Sequence, residues 1–478
     1  VTETILQFGT GRFLRAFADC FIDEAIKART YQGKIAMIAS TPSGRAQLFN
    51  QQEEKYTLWT RGHGSDGLVD TLHTVDAVSR VLSASSQWNE IVDVAQSPHL
   101  EAVISNTTEI GLSLVNNDPQ SFPQSFPARL CALLYARAES FQYAHSKGLV
   151  ILPCELIDDN GDLLCRLILK QASRWKLDEK FIQWLHQSTV FCNTLVDRIV
   201  PGLPEAHELE AAFEKLGYTD ELLTVCEPYR LWAIQGKDGL RERLGFLRHG
   251  DGIVLTSDIE SYRIRKIRLL NGGHTLSVPI ALLAGCQTVL DAMQHPIVSR
   301  YIESLLRTEI GPVLSVDPST VGPYIDEVLQ RWRNPYIYHQ LIDITLQSTT
   351  KLRYRVVPTV LDYYHAYPDG PAPQRIALGV AAWLLFMRGS SKSDGIIYTT
   401  FQGSQHPIRD DHAEQFFDWW PENEHLIPGF VQEVLASRDL WGISLDDYPG
   451  FTEAVHTYLH RILNHHVEYV LPDTLKQS

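Results

Sequence analysis

A short apolar strand runs directly into a glycine turn and a helix at the start of this chain. That succession constrains the fold more than any other feature. The strand is Thr4-Ile5-Leu6-Gln7-Phe8. Gly9-Thr10-Gly11-Arg12-Phe13 follows, and Phe13, Phe17, Phe21 and Ile22 then recur at helical spacing. Strand, glycine turn and helix form the entry to a dinucleotide-binding unit. The glycines let the backbone approach a pyrophosphate, and the start of the helix supplies N–H donors. The third glycine of the usual fingerprint is absent, and Leu14 stands in its place. Phe8, Gly9, Gly11 and Phe13 are the cofactor-binding candidates on this turn.

Residues 1–256 alternate strand-like and helix-like segments. The strand candidates are Ile5–Phe8, Ile35–Ala39, Leu72–Val78, Ala102–Ser105, Leu149–Pro153, Thr189–Phe191, Leu222–Val225 and Ile253–Thr256. Helical patterns such as Ala128–Ala144 and Leu163–Trp175 lie between them. This alternation indicates an α/β domain with a mainly parallel sheet. Residues 257–478 read differently. Long amphipathic patterns, among them Tyr262–Ala284, Tyr338–Thr349, Gln374–Arg388 and Phe451–Asn464, indicate a mostly helical second domain broken at Gly and Pro clusters.

Within the helical half, Lys266-Ile267-Arg268-Leu269-Leu270-Asn271-Gly272-Gly273-His274 places three chemically useful side chains together. On an α-helix, at about 100° per residue, Lys266, Asn271 and His274 fall within an arc of about 140°. A lysine that trades a proton with an oxygen and an amide that donates to a developing alkoxide suit carbonyl/alcohol interconversion. A histidine can orient a neighbouring hydroxyl. Ser105-Asn106-Thr107-Thr108-Glu109 follows an apolar strand, where small polar residues face the crevice that binds ligands in such sheets. Asn193 interrupts an apolar run that continues to Asp197 and Arg198; a buried asparagine there completes an oxyanion pocket or serves the fold. Arg331, Arg333, His339, Lys351, Arg353 and Arg355 form a cationic cluster suited to carboxylate recognition.

Charge sharpens that last point. The chain carries −15 formally and has no basic block, which disfavours nucleic acid as a partner. An anionic substrate then needs a locally positive pocket. The longest apolar stretch, Ile376 to Met387, is too short to span a bilayer. No signal peptide is expected, since the first strand begins almost at once. Seven scattered cysteines without a Cys-x-x-Cys point to a reducing cytoplasm and away from a zinc site.

The ordered set of the glycine turn with Phe13 and Arg15, the Thr-Thr-Glu ending at Glu109, Asn193 with Val196-Asp197-Arg198-Ile199, and Lys266, Asn271 and His274 resembles the mannitol dehydrogenase family of polyol-specific long-chain dehydrogenases. The resemblance spans nearly the whole chain. It implies a Rossmann-like domain followed by a helical domain like the C-terminal domain of 6-phosphogluconate dehydrogenase. It also implies NAD as cofactor, no catalytic metal, and a monomer or small homo-oligomer. Lys266 is then the acid/base, Asn193 and Asn271 hold the reacting oxygen, and His274 assists substrate binding. Asn106, Thr107, Thr108 and Glu109 join the cofactor site.

Within the family the likeness is greatest to the hexuronate branch that interconverts tagaturonate and altronate. Leu152-Pro153-Cys154-Glu155-Leu156 and Arg333-Asn334-Pro335-Tyr336-Ile337 with His339 carry it. The mannitol and fructuronate (mannonate) branches, and a nucleotide-binding regulator without turnover, remain the alternatives. Substrate-binding candidates are Asp197, Arg263, Arg333, His339 and Lys351. Two departures stand out. Ile38-Ala39-Ser40 ends the second strand without an acidic residue, so Ser40 and Arg45 leave room for NADP. Arg263 stands where polyol enzymes of the family carry a glutamate.

Overall fold

Alternation along the first strand divides its side chains between two cores. In the computed structural model, which describes residues 2–40, 45–65, 67–107, 111–115, 122–237, 239–401 and 403–476, Ile5 packs on one face and Leu6 and Phe8 on the other. A sheet buried on both faces demands apolar residues at every position, and Ile5-Leu6 meets that demand. One face is covered by Phe17, Phe21 and Ile22. The other is covered by helices Phe126–Ser140 and Asn160–Arg174, through Leu130, Leu134, Leu164 and Ile168.

The main sheet has six strands: β1 (Glu3–Phe8), β2 (Lys34–Ala39), β3 (Val78–Ser83), β4 (Ala102–Ser105), β5 (Val150–Pro153) and β6 (Val190–Phe191). Their order is β3-β2-β1-β4-β5-β6, and every pairing is parallel. This is the doubly wound order of a Rossmann domain. Its ligand crevice lies where the order reverses, at the carboxyl ends of β1 and β4. Phe8 and Ser105 sit opposite each other at those ends.

The segment expected as one strand, Leu72–Val78, proves to be two. Tyr56–Gly64 and Gly67–Val75 form an antiparallel hairpin, and β3 begins after Ala77. The backbone N–H of Asp76 is taken by Asp23 Oδ1 at 2.7 Å, which marks the break. Composition hid the hairpin, because its second strand is largely exposed and mixed in character.

Contacts divide the chain into Val1–Ile259 and Glu260–Ser478. The second unit is built around helix Gln374–Met387, nearly all of whose residues are buried. It packs against helices Gly273–Leu283 and Phe451–Asn464. The helix expected over Tyr338–Thr349 is instead Leu341–Ile344 and Ser348–Arg355, parted at Gln347, whose φ is +53°. A hairpin-like sheet of Ser391–Ser393, Ile396–Phe401 and Ser404–Pro407 also breaks the helical pattern.

Gly9 has φ +125°, and a Cβ there would lie 3.2 Å from both the Asn106 carbonyl oxygen and Leu14 Cδ1. Both the conformation and the space require glycine. Gly9→Ala is therefore expected to destabilise the N-terminal unit by about 1–3 kcal/mol. A denaturant titration followed by tryptophan fluorescence checks this; an unshifted transition overturns it.

Candidate active site

At the carboxyl edge of the main sheet, main-chain bonds continue past the strand ends. The Gly9 N–H donates to Ile38 O (3.2 Å) and the Asn106 N–H to Phe8 O (3.1 Å). Gly11 precedes helix Arg12–Ala16, and a Cβ on it would have nothing within 4 Å. Gly9 thus makes the turn, while Gly11 leaves open space beside it. This difference fits a backbone that must be approached by a pyrophosphate. Ser40 follows β2 and is half-buried. Phe13 is half-buried and stacks on Phe17 at 5.0 Å. Phe8 is corrected: its side chain is fully buried against Phe126, so only its main chain reaches the turn. Arg15 is likewise buried, donating to Leu222 O. Thr108 and Glu109 lie outside the described residues, as does the side chain of Arg45.

Sequence reasoning gave Glu155 no role at this edge. Its carboxylate is buried and accepts from Ser105 Oγ (3.1 Å), the Thr107 N–H (2.9 Å) and Thr107 Oγ1 (3.2 Å). Burial pushes its pKa up, against the pull of those donors. Asn106 Nδ2 donates to Cys154 O at 2.5 Å. One carboxylate and one amide therefore fix the Ser105-Asn106-Thr107 turn. The signal was present in the sequence as an acidic residue closing an apolar strand.

Asn193 is also engaged. Its Nδ2 donates to Asp162 Oδ2 (3.0 Å) and Gln235 Oε1 (2.8 Å), while Oδ1 accepts from the Asp162 N–H (3.0 Å). As it stands, this amide has no N–H left for an alkoxide, and it ties one helix start to the end of strand Leu231–Gln235. Asp197 is buried at the end of strand Thr194–Asp197. Arg198 spends its guanidinium on the carbonyls of Glu227 and Ala16.

In the second unit, Lys266 opens a π-helical segment, Lys266–Gly272, set between helices Glu260–Arg265 and Gly273–Leu283. The i→i+5 bonding of a π-turn brings residue i+5 beneath residue i. Lys266 and Asn271 therefore align more closely than regular α-helical spacing implies. Gly272 and Gly273 make room for the neighbours: a Cβ on Gly272 would meet the Arg355 carbonyl oxygen at 3.3 Å, and one on Gly273 would meet the Trp332 ring at 3.1 Å. Lys266 and Asn271 are half-buried. Thr275 Oγ1 donates to the Asn271 carbonyl at 2.8 Å.

His274 is buried, and its ring stacks on Trp332, centroids 4.0 Å apart, with the His339 ring edge-on at 5.7 Å. Its Nε2 has no hydrogen-bond partner among the described residues. Burial holds its pKa well below the ordinary value, and the charges of His339, Arg355, Arg331 and Lys351 add to this. The ring is thus neutral at physiological pH and carries an unused polar atom. His339 is held down by burial in the same way. Lys351 donates to Ile344 O at 2.8 Å, and burial with the nearby Arg355 charge brings its pKa down to about 8.

Two expected carboxylate ligands stand apart. Arg333 is exposed at the end of helix Pro318–Trp332. Arg263 pairs with Glu260 at 2.7 Å. Arg355, expected within the cationic cluster, does lie beside His274, and Trp332, which carried no assigned role, forms the wall of that site.

Two family models match the chain: the mannitol dehydrogenase Rossmann domain over residues 3–245 and the mannitol dehydrogenase C-terminal domain over residues 258–463. The chain belongs to the mannitol dehydrogenase family. It is 37% identical over 464 residues to an altronate oxidoreductase of Bacillus subtilis (strain 168), covering 96% of this chain and 92% of that one. It is 36% identical to an altronate oxidoreductase of Halalkalibacterium halodurans, covering 93% and 87%. Among solved structures it is similar to Pseudomonas fluorescens mannitol 2-dehydrogenase in ternary complex with NAD and D-mannitol (TM-score 0.73, 22% identity, 100% and 95% covered). It is also similar to a D-sorbitol dehydrogenase (TM-score 0.78, 20% identity, 99% and 95% covered). As a member of the mannitol dehydrogenase family, the chain is an NAD-dependent oxidoreductase with a Rossmann domain and a helical C-terminal domain. Among the described residues no helix is long and apolar enough to cross a membrane, and no cluster of metal-ligand side chains occurs.

The open space at Gly11 carries a prediction. Gly11→Ala has room for its methyl in the protein alone, at a φ of −70°. It is expected to keep the thermal midpoint while weakening NADH at least about 10-fold, because the methyl occupies space that the cofactor backbone contact needs. Fluorescence titration of NADH against a parallel melting curve checks the pair of outcomes. Unchanged NADH affinity overturns the assignment.

Proposed function

We propose that this oxidoreductase interconverts tagaturonate and altronate, a keto-uronate and its hydroxy acid. The observation that carries the reading is the cluster of cations around His274, in a chain whose formal charge is −15. An acidic protein repels an anionic sugar acid unless its site is locally positive. A site for neutral polyols has no need to keep charge half-buried at this cost. The altronate oxidoreductases at 36–37% identity support the same substrate class. We also place the chain in a reducing cytoplasm, which its seven free cysteines support.

NAD fits the open turn at Gly9, Gly11, Ser40, Asn106 and Thr107, and when bound it supplies or takes up the hydride at the substrate carbon. The remaining chemistry belongs to the second unit. Lys266 gives its proton to the substrate oxygen during reduction and takes it back during oxidation. The Asn271 amide donates to that oxygen as negative charge develops. His274, neutral and with Nε2 unused, holds a neighbouring hydroxyl. Lys351 adds positive charge for the carboxylate, while His339, held below its ordinary value by burial, adds a neutral ring. Asn193 acts indirectly, by fixing Asp162 and Gln235.

The test is a substrate panel of tagaturonate, fructuronate and fructose with NADH and NADPH, run on the protein and on Lys266→Ala. Tagaturonate with NADH is expected to give the highest kcat/KM. The lysine variant is expected to lose about 10²–10⁴ in turnover, the range of a general acid–base group, while still binding NADH. Fructose as the best substrate would replace this reading with the mannitol type. Near-normal turnover without Lys266 would remove that residue from its role.

A second prediction concerns pH. Lys351 is charged below its pKa of about 8 and neutral above it. KM for the uronate is therefore expected to rise above pH about 8, as the cation is lost, and Lys351→Met should flatten that limb. For stability the sign is opposite. Between about 8 and the ordinary 10.5 the unfolded chain holds a proton that the folded chain has released, so this group favours folding more as pH rises. A KM independent of pH from 7 to 9 in the unsubstituted protein would exclude Lys351 from carboxylate binding.

A further inference from the structure

Several half-buried or buried guanidinium groups in this protein are tied to carboxylates, and others, such as Arg137 and Arg198, are tied to backbone carbonyls. Arg375 pairs with Glu309 at 3.2 Å, Arg230 with Glu24 at 2.6 Å, Arg268 with Asp362 at 3.1 Å and Arg263 with Glu260 at 2.7 Å. Arg355 differs. It is half-buried at the end of helix Ser348–Arg355, and its guanidinium makes one hydrogen bond among the described residues, a long one, Nη1 to Thr275 Oγ1 at 3.5 Å. No described carboxylate lies within ion-pair distance of it. Burial alone brings its pKa down to about 10. A charge taken partly out of water without a partner costs free energy, and proteins keep such charges where a ligand completes them.

Its position connects that charge to the reacting groups. The Arg355 carbonyl packs on Gly272, inside the π segment that carries Lys266 and Asn271. Thr275, which Arg355 touches, holds the Asn271 carbonyl. The Arg355 charge reaches both His274 and Lys351. Arg333 is exposed, and the Lys351 ammonium is partly committed to Ile344 O. Resting on the uronate reading above, we propose that Arg355 is the residue that grips the substrate carboxylate and so selects a sugar acid over the neutral sugar. A planar guanidinium with its N–H groups still largely free presents two parallel donors to a carboxylate, which an ammonium cannot do.

Tagatose is the neutral counterpart of tagaturonate, with a hydroxymethyl group where the acid has its carboxylate. The experiment measures kcat/KM for both with NADH, on the full chain and on Arg355→Met and Arg355→Lys, with a melting curve for each. The unsubstituted protein is read first. If it does not favour tagaturonate, the uronate reading falls, and this inference falls with it. If it does, Arg355→Met is expected to lose about 100-fold or more on tagaturonate, chiefly in KM, with a loss on tagatose at least about 10-fold smaller. Arg355→Lys, which keeps the charge and loses the fork, is expected to fall between. Should the methionine variant fail to fold, the lysine variant decides alone by the same ratio. Equal losses on the two sugars, or a tagaturonate preference left undiminished by either substitution, overturn the inference while leaving the uronate reading standing.

Discussion

The approach of the Arg355 carbonyl to Gly272 sets the geometry of the second unit's site. A side chain at Gly272 would press on that oxygen at 3.3 Å, and one at Gly273 would press on Leu306 at 2.8 Å. Two adjacent glycines thus admit a neighbouring helix end on one side and an aromatic wall on the other. A helix relieved of side chains at that point can widen into a π segment, a form that is rare and is frequent at functional sites. The widening brings Asn271 under Lys266, and helix Gly273–Leu283 then starts in the phase that sets His274 on Trp332. The lysine, amide and imidazole depend on this one close contact for their register.

In the first unit the equivalent constraint is the reversal of strand order between β1 and β4. Parallel strands leave their last carbonyls and N–H groups at one edge, and here they are satisfied by Gly9 and Asn106 rather than by further strand. The turn after β4 is then fixed by a buried carboxylate, Glu155, which accepts three hydrogen bonds. A carboxylate is well suited to this task, since it only accepts and so draws N–H and O–H groups of one turn toward a single point. The rigidity of the turn comes from β5, next to β4 in the sheet, since Glu155 follows β5.

The sequence made the sheet legible because β1, β2 and β4 are short apolar runs with a glycine or small polar residue at the end. Lys266, Asn271 and His274 were legible because three polar residues on an apolar helix need a reason. What stayed hidden depended on contacts between distant residues. The π segment has no periodicity of its own in so short a run. Asn193 reads as a donor until its partners Asp162 and Gln235 are seen, 31 and 42 residues away. Arg333 and Arg355 are equivalent in a list of cations. Only burial separates them. The hairpin Tyr56–Val75 was missed because an exposed strand loses the apolar signature on which a strand reading relies.

The cations around His274 have a consequence beyond attraction. Burial disfavours a charged imidazole, and positive neighbours disfavour it further, so His274 stays neutral while Arg355 stays charged. The two kinds of group therefore divide the work by protonation state. The neutral ring, with Nε2 unpartnered among the described residues, is free to make a hydrogen bond without adding positive charge. The arginine supplies fixed charge that ordinary pH does not remove. A single histidine asked to do both would switch roles within the physiological range. This division keeps the imidazole's protonation state fixed and leaves Lys351, at about 8, as the cation of the cluster whose charge responds near neutrality.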